Sequence, residues 1–266
     1  MAINLKEGNY LGETLNTYEN IFFKLSITSH EKNSLAQKHY HENNYLSILI
    51  NGNYIEKTQK SESFIISGDI LYRPNCHVHQ NLFNNTTGSC FNIEFKKSWN
   101  IFFDKNYKLP DKYIQHKGIG QSSLYKLLIN YKQNYNEDLA FEFIFDWLSE
   151  TNNVKVKNAS QPWVSKIVKI LENDLETFHS LNSLSEQVFV HPAYLSRAFK
   201  AKTGLTVSEY QLKMKLSNAL SQLLNTSLTI SDISFRNGFY DDAHFIRSFK
   251  SLYGVAPYKF KLIAKS

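Results

Sequence analysis

Ile230-Ser231-Asp232-Ile233-Ser234-Phe235-Arg236-Asn237-Gly238-Phe239-Tyr240-Asp241-Asp242-Ala243-His244-Phe245-Ile246-Arg247-Ser248-Phe249-Lys250 decides how the C-terminal part of the chain folds. Within these residues a short apolar-faced helix, a glycine turn and a second helix follow one another. Gly238 suits the turn, and Asp241 suits the N-cap of the second helix. Phe245 and Phe249 fall at i, i+4 and face inward, which leaves Asp242, Ala243, Ile246, Arg247 and Lys250 outward. The same grammar occurs earlier, in Leu184-Ser185-Glu186-Gln187-Val188-Phe189-Val190-His191-Pro192-Ala193-Tyr194-Leu195-Ser196-Arg197-Ala198-Phe199-Lys200. There Leu195 and Phe199 take the inward part, and Ala193, Ser196, Arg197 and Lys200 face outward. Both copies close on an apolar-x-Arg-x-Phe-Lys phrase, so Arg197 and Arg247 occupy matching points fifty positions apart. One amphipathic helix pair is common in any α domain. Two with one grammar predict two helix–turn–helix motifs, whose second helices enter the DNA major groove.

The charge supports that expectation. The 266-residue chain is long enough for two domains, and its 42% hydrophobic and 20% charged content is that of a globular protein. Residues 160–266 hold 13 Lys and Arg against 8 Asp and Glu, so nearly all of the net +6 lies with the duplicated motif. A local basic surplus is the footprint of a phosphate-binding face. Cys76 and Cys90, the only cysteines, stand outside any C-x-x-C spacing and read as buried free thiols. The segment Met1–Gly8 has no apolar h-region, and runs such as Leu46–Ile50 are too short to span a bilayer. A cytoplasmic protein without a membrane partner is expected.

Residues from about 20 to 100 read as β. Ile21–Ile27, Tyr45–Ile50, Ser63–Ile66, Ile70–Arg73 and Cys90–Phe95 are short strand-like runs, with turn signals at Asn51-Gly52-Asn53 and Ser67-Gly68-Asp69. They predict an antiparallel barrel or sandwich. From Ser122 the period becomes helical, with Leu124, Leu127, Leu128 and Tyr131 on one face, and Leu139, Phe143, Ile144 and Trp147 on another. The polar stretch Ser149–Pro162 reads as an interdomain linker. Beyond it all is helical, including a long helix from Val207 to Leu224 with Tyr210, Met214, Leu220, Leu223 and Leu224 as core positions.

Residues 180–262 resemble the DNA-binding domain of the AraC/XylS family of bacterial transcription regulators. The phrases that carry this are Tyr194–Lys200, Thr203-Gly204, Tyr210, Ala219, Leu223-Leu224, Ile230–Ile233, Gly238-Phe239, Phe245–Lys250 and Gly254–Pro257. The resemblance implies two reading helices, about Pro192–Ala201 and Asp242–Ser251, joined by one long helix. Phe189 and His191 depart from the family's small residue and Ser or Thr cap, Ser185 from its buried Ala, and Lys215 and Lys261 from its Arg. Arg grips guanine bidentately, so Arg197 and Arg247 are the natural base readers, whereas Lys200 and Lys250 suit phosphate.

Further upstream, His39-Tyr40-His41, then Gly68-Asp69-Ile70-Leu71-Tyr72-Arg73-Pro74 and His79, resemble the cupin pattern over residues 35–95. Alternate strand residues point the same way, so the three imidazoles can line a ligand pocket or hold a metal ion. Glu42 comes too early for the cupin carboxylate, and the pocket reading without metal, cofactor or catalytic residue is preferred. Tyr72 is placed at that pocket, while barrel core is the first reading of Phe83 and Phe91. The whole resemblance implies an α+β chain of two domains. Residues 1–120 form a cupin-like sensory barrel, 121–150 a helical dimerisation region, 151–162 a linker, and 163–266 the all-α double helix–turn–helix. Implied partners are promoter DNA, RNA polymerase, a small effector and a second copy of the chain. The rival reading is a metal-dependent cupin enzyme with a helical appendage.

Overall fold

The computed structural model describes residues 2–103, 107–116, 121–153 and 162–265. The chain divides into two compact units, one of Met1–Lys117, Leu127–Leu148 and Lys261–Ser266, the other of Gly118–Lys126 and Ser149–Phe260.

In the first unit two sheets face each other. The larger runs in the order β11 (Ile114–His116), β8 (Ile70–Arg73), β5 (Asn44–Asn51), β10 (Gly88–Phe95), β3 (Phe23–His30), β2 (Glu13–Glu19). The smaller runs β1 (Ile3–Leu5), β4 (Leu35–His41), β9 (His79–Leu82), β6 (Asn53–Thr58), β7 (Glu62–Ile66). Among the described residues every ladder is antiparallel except that of β1 with β4. The turns at Gly52 and Gly68 lead from one sheet to the other, so they are corners of the barrel and not hairpins. Gly52 has φ +87°, and an added Cβ would lie 2.2 Å from the Thr87 carbonyl oxygen, so no other residue fits that corner.

The polarity of the larger sheet is inverted relative to an ordinary sandwich. Tyr45 to Ile50 of β5 are buried on both faces. One face, with Thr28, Tyr45, Ser47 and Asn92, lines the space between the sheets. The apolar face packs outward under α1 (Lys97–Phe103), α2 (Ser122–Lys132) and α3 (Glu137–Asn153). There Phe95 meets Trp99 and Trp147, Phe91 meets Tyr131, and Phe23 meets Phe141. A polar lumen costs desolvation unless its groups are paired, so this arrangement serves something other than stability. Only part of the lumen is apolar, where Leu49, Tyr54, Ile65, Leu71, Phe83 and Cys90 cluster.

Several expectations shift in detail. On α3 the buried set is Ala140, Ile144, Trp147 and Leu148, with Leu139 42% exposed. Helix α3 continues to Asn153 and α4 begins at Pro162, so the start of the expected 151–162 linker is helical, and residues 154–161 lie outside the described residues. Cys76 is exposed, and Cys90 alone is a buried thiol.

The second unit holds α4 (Pro162–Asn173), α5 (Leu181–Val188), α6 (Pro192–Thr203), α7 (Val207–Asn225), α8 (Ile230–Arg236), α9 (Asp242–Tyr253) and the start of α10 (Pro257–Lys265). Val164, Ile167 and Leu171 pack with Leu184, Leu195, Phe199 and Val207. A chain of rings, Phe239, Phe245, Phe249, Tyr253 and Phe260, forms the core around α9. The buried face of α7 includes Gln211 and Lys215, while Met214, expected in the core, is half-buried. Gln211 binds both backbone groups of His179, and Lys215 donates to the Gly238 carbonyl at 3.0 Å. Two polar side chains therefore take core positions because each satisfies backbone that the helices leave unpaired.

Candidate nucleic-acid interface and barrel cavity

Helices α6 and α9 are copies in physical detail. Each is 12 residues long and begins after a side-chain cap, His191 Nδ1 accepting from Ala193 N and Asp241 accepting from His244 N. Each ends on a left-handed glycine, Gly204 or Gly254, whose N–H bonds the carbonyl of Lys200 or Lys250. From His191 to Lys200 and from Asp241 to Lys250 the burial of successive residues is the same. Leu195 with Phe199, and Phe245 with Phe249, are fully buried. Ala193, Arg197 and Lys200 are exposed, with Ser196 partly so, and Ala243, Arg247 and Lys250 are exposed, with Asp242 and Ile246 partly so. Arg197 folds its Nε back to the Ala193 carbonyl at 3.3 Å. The Asp242 carboxylate is engaged within the fold, accepting from the Ser231 hydroxyl, which ties α8 to α9.

The turns before these helices differ. Phe189 and Gly238 hold the corresponding left-handed position, at φ 56° and 63°. From there the cap is two residues on in the first copy and three in the second. An added Cβ on Gly238 would lie 2.1 Å from the Glu176 carbonyl oxygen, so glycine is required by contact as well as by φ. Phe189 meets no such wall, for its side chain is 94% exposed. Between the copies, α7 is 19 residues long, about 28 Å, comparable with the roughly 34 Å that separates successive major-groove faces.

In the first unit His39, His41 and His79 come together, each at most 4% exposed, with ligand atoms all within 4.8 Å of one another. His39 Nδ1 donates to the Gln37 carbonyl at 2.6 Å, and His79 Nδ1 to the His77 carbonyl at 3.1 Å. A carbonyl only accepts, so both rings carry their proton on Nδ1 and leave Nε2 with its lone pair. Burial holds all three imidazoles below the usual histidine range, His41 at about 3, with neighbouring charge from Arg73 adding to the effect. The adjoining cavity is about 30 Å³ in volume, and Tyr10 and Leu11 of the N-terminal arm form part of its wall.

Tyr72 does not belong to this cavity. Along β8 Leu71 and Arg73 point inward, so Tyr72 points outward, where its ring meets Trp147 and its hydroxyl donates to the Pro110 carbonyl at 2.8 Å. The residue that the sequence reading passed over is its neighbour. Arg73 is 1% exposed, paired with Glu56 and hydrogen-bonded to the Tyr54 hydroxyl at 3.1 Å. Burial alone would lower its pKa, but Glu56 outweighs it and keeps the guanidinium charged. His30, stacked on Phe83 at 4.3 Å, is a further wall residue absent from the expected set.

Residues 184–262 match the family model described as a helix-turn-helix domain. The Msm operon regulatory protein of Streptococcus mutans is 28% identical over 138 residues, 52% of this chain and 45% of that protein. The HTH-type transcriptional activator RhaS of Mannheimia succiniciproducens is 31% identical over 97 residues, 36% of each chain. The chain thus spans about half the length, or less, of these curated relatives. ToxT from Vibrio cholerae O395, a solved structure, is 15% identical, with a TM-score of 0.39 over 92% of this chain and 98% of that one. By its paired, equally capped helices the second unit is a double helix–turn–helix domain, a class that binds DNA. Over residues 184–262 it is similar to the helix-turn-helix domains of these transcription regulators.

Proposed function

We propose that the chain is a sequence-specific transcription regulator, with α6 and α9 reading two segments of promoter DNA and the β unit acting as its sensor. One observation carries this reading: the two helices repeat cap, burial and basic residues at an offset of fifty, which a merely structural helix pair does not require. Arg197 and Arg247 are the base readers, and Lys200 and Lys250 the phosphate contacts. Ala193, Ser196, Ala243 and Ile246 fill the face between them, while Asp242 orients α9 through Ser231. A polar lumen within a β unit supports effector binding there, and the regulators among the relatives support a non-enzymatic role. RNA polymerase as a partner and a homodimer formed through α2 and α3 belong to the same reading. The test is selection from genomic fragments followed by footprinting. Two protected segments about one helical turn apart within one protomer's site are expected, and protection of a single segment would refute the paired reading.

A further inference from the structure

We infer that Ile246 selects thymine in the DNA under α9, by packing on the C5-methyl group of a base pair next to the guanine read by Arg247, and that Ser196 leaves the α6 segment without that preference. The inference rests on the DNA-reading role proposed above and names what the two helices read differently.

The two reading faces differ at one position. Residues i, i+3, i+4 and i+7 of an α-helix stand within an arc of about 100°. Ala193, Ser196, Arg197 and Lys200 therefore form one stripe of α6, and Ala243, Ile246, Arg247 and Lys250 the same stripe of α9. Three of the four pairs are identical, and Ser196 against Ile246 is the exception. The flanking differences are engaged within the fold. The Asp242 carboxylate accepts from Ser231, and the Tyr194 and His244 rings rest against Trp163 and Phe239.

Packing does not call for isoleucine here. Positions 196 and 246 are both half-buried, within runs of identical burial. With serine in that place α6 still buries Leu195 and Phe199 completely, so the fold accepts a hydroxyl. Isoleucine is also a poorer helix former than leucine or methionine, because its branched Cβ crowds the preceding turn. A half-exposed apolar group on a stripe that carries Arg and Lys gains free energy only when a partner covers it.

The major groove offers one such partner. The C5-methyl of thymine is the hydrocarbon group among base edges that otherwise present donors and acceptors. Isoleucine can neither donate nor accept, so covering another base edge with it leaves polar atoms unpaired. Its χ1 is held in one rotamer within a helix, so little freedom is lost on contact. A serine hydroxyl donates or accepts and therefore suits any base.

The test uses DNA selected by the full chain, with thymine replaced by deoxyuridine in one protected segment at a time. Uracil pairs as thymine does and lacks only the C5-methyl group. Thymine is expected beside the guanine of the α9 segment, and its replacement should weaken binding about fourfold, the effect of uncovering one methyl-sized group. Ile246→Ser gives α9 the residue of α6, and it should bind the thymine and deoxyuridine DNAs alike, at the weaker level. Selection repeated with Ser196→Ile should bring thymine into the corresponding place of the α6 segment. Circular dichroism checks that both variants fold, and the deoxyuridine comparison on the unaltered chain decides the matter without them. Absence of thymine from the α9 segment, equal affinity for deoxyuridine DNA, undiminished discrimination by Ile246→Ser, or an unchanged selection with Ser196→Ile overturns the assignment. The regulator reading fails by a different result, the absence of any preferred DNA sequence.

Discussion

Glu56 and Arg73 place opposite charges inside the β unit, each 1% exposed, and three of their polar atoms, Glu56 Oε1 and Arg73 Nε and Nη1, have no hydrogen-bond partner among the described residues. Breaking such a pair strands the remaining charge, so Glu56→Gln should lower unfolding stability by about 3–5 kcal/mol, read from the urea midpoint. His116 gives the pH dependence. Burial lowers it to about 4, and its Nε2 accepts from the Trp147 indole at 3.3 Å, which requires a neutral ring. The unfolded chain takes up that proton near 6.5 and the folded chain only near 4, so the unfolded state binds more protons between those values. Stability contributed by His116 is therefore intact above pH 6.5 and is lost as pH falls toward 4. At pH 5 the loss is on the order of 2 kcal/mol relative to pH 7.5, and His116→Gln should flatten that part of the profile. At this scale the sequence is legible only where a residue type implies its place. The three histidines meet as the strand period demands, but Tyr72, placed at the pocket by its type, faces outward, and Arg73, passed over because arginine suggests a surface, faces inward. The pleat decides instead, and its phase at β8 depends on which of two sheets the strand joins.

Between elements, the two helix–turn–helix copies differ at one backbone position that only Gly238 fills without strain. A non-glycine residue at φ 56° costs about 1–2 kcal/mol, and Phe189 offsets none of it by packing, being 94% exposed. Phe189→Gly should therefore raise the stability of the second unit by about 0.5–1 kcal/mol after the extra chain entropy of glycine is subtracted. Gly238→Ala should destabilise well beyond Gly204→Ala. Both positions are left-handed, but a Cβ at Gly204 meets nothing within 4 Å, and one at Gly238 collides with backbone. Equal losses in thermal melts would show that the wall at Glu176 yields freely. The helix pairs, their Asp241 and His191 caps and their buried Leu and Phe residues are legible because period and capping are local. Burial of Gln211 and Lys215 is not, since it depends on backbone far along the chain, at His179 and Gly238. Strands β1, β2 and β11 lie outside the expected β segment: β1 and β11 are three-residue edge strands that pair with partners distant in sequence, and β2, though it pairs with its neighbour β3, is an almost wholly exposed edge strand without alternating burial.

For the whole molecule, the division of labour follows from where charge and polarity accumulate. The helical unit presents paired basic faces, and the β unit keeps its polar residues in the lumen while helices cover its apolar face. A chain built only to fold would reverse the second of these. The central claim is that α6 and α9 read DNA together, and one measurement bears on it most directly. DNA selected by the unaltered chain is footprinted and its affinity measured with every base pair substituted in turn, for the unaltered chain, Arg197→Ala and Arg247→Ala. Each variant should lose about 1–3 kcal/mol and relax preference at one base pair, the two positions lying in different protected segments. Unchanged footprints and base preferences in both variants, or loss at the same base pair in each, would contradict it.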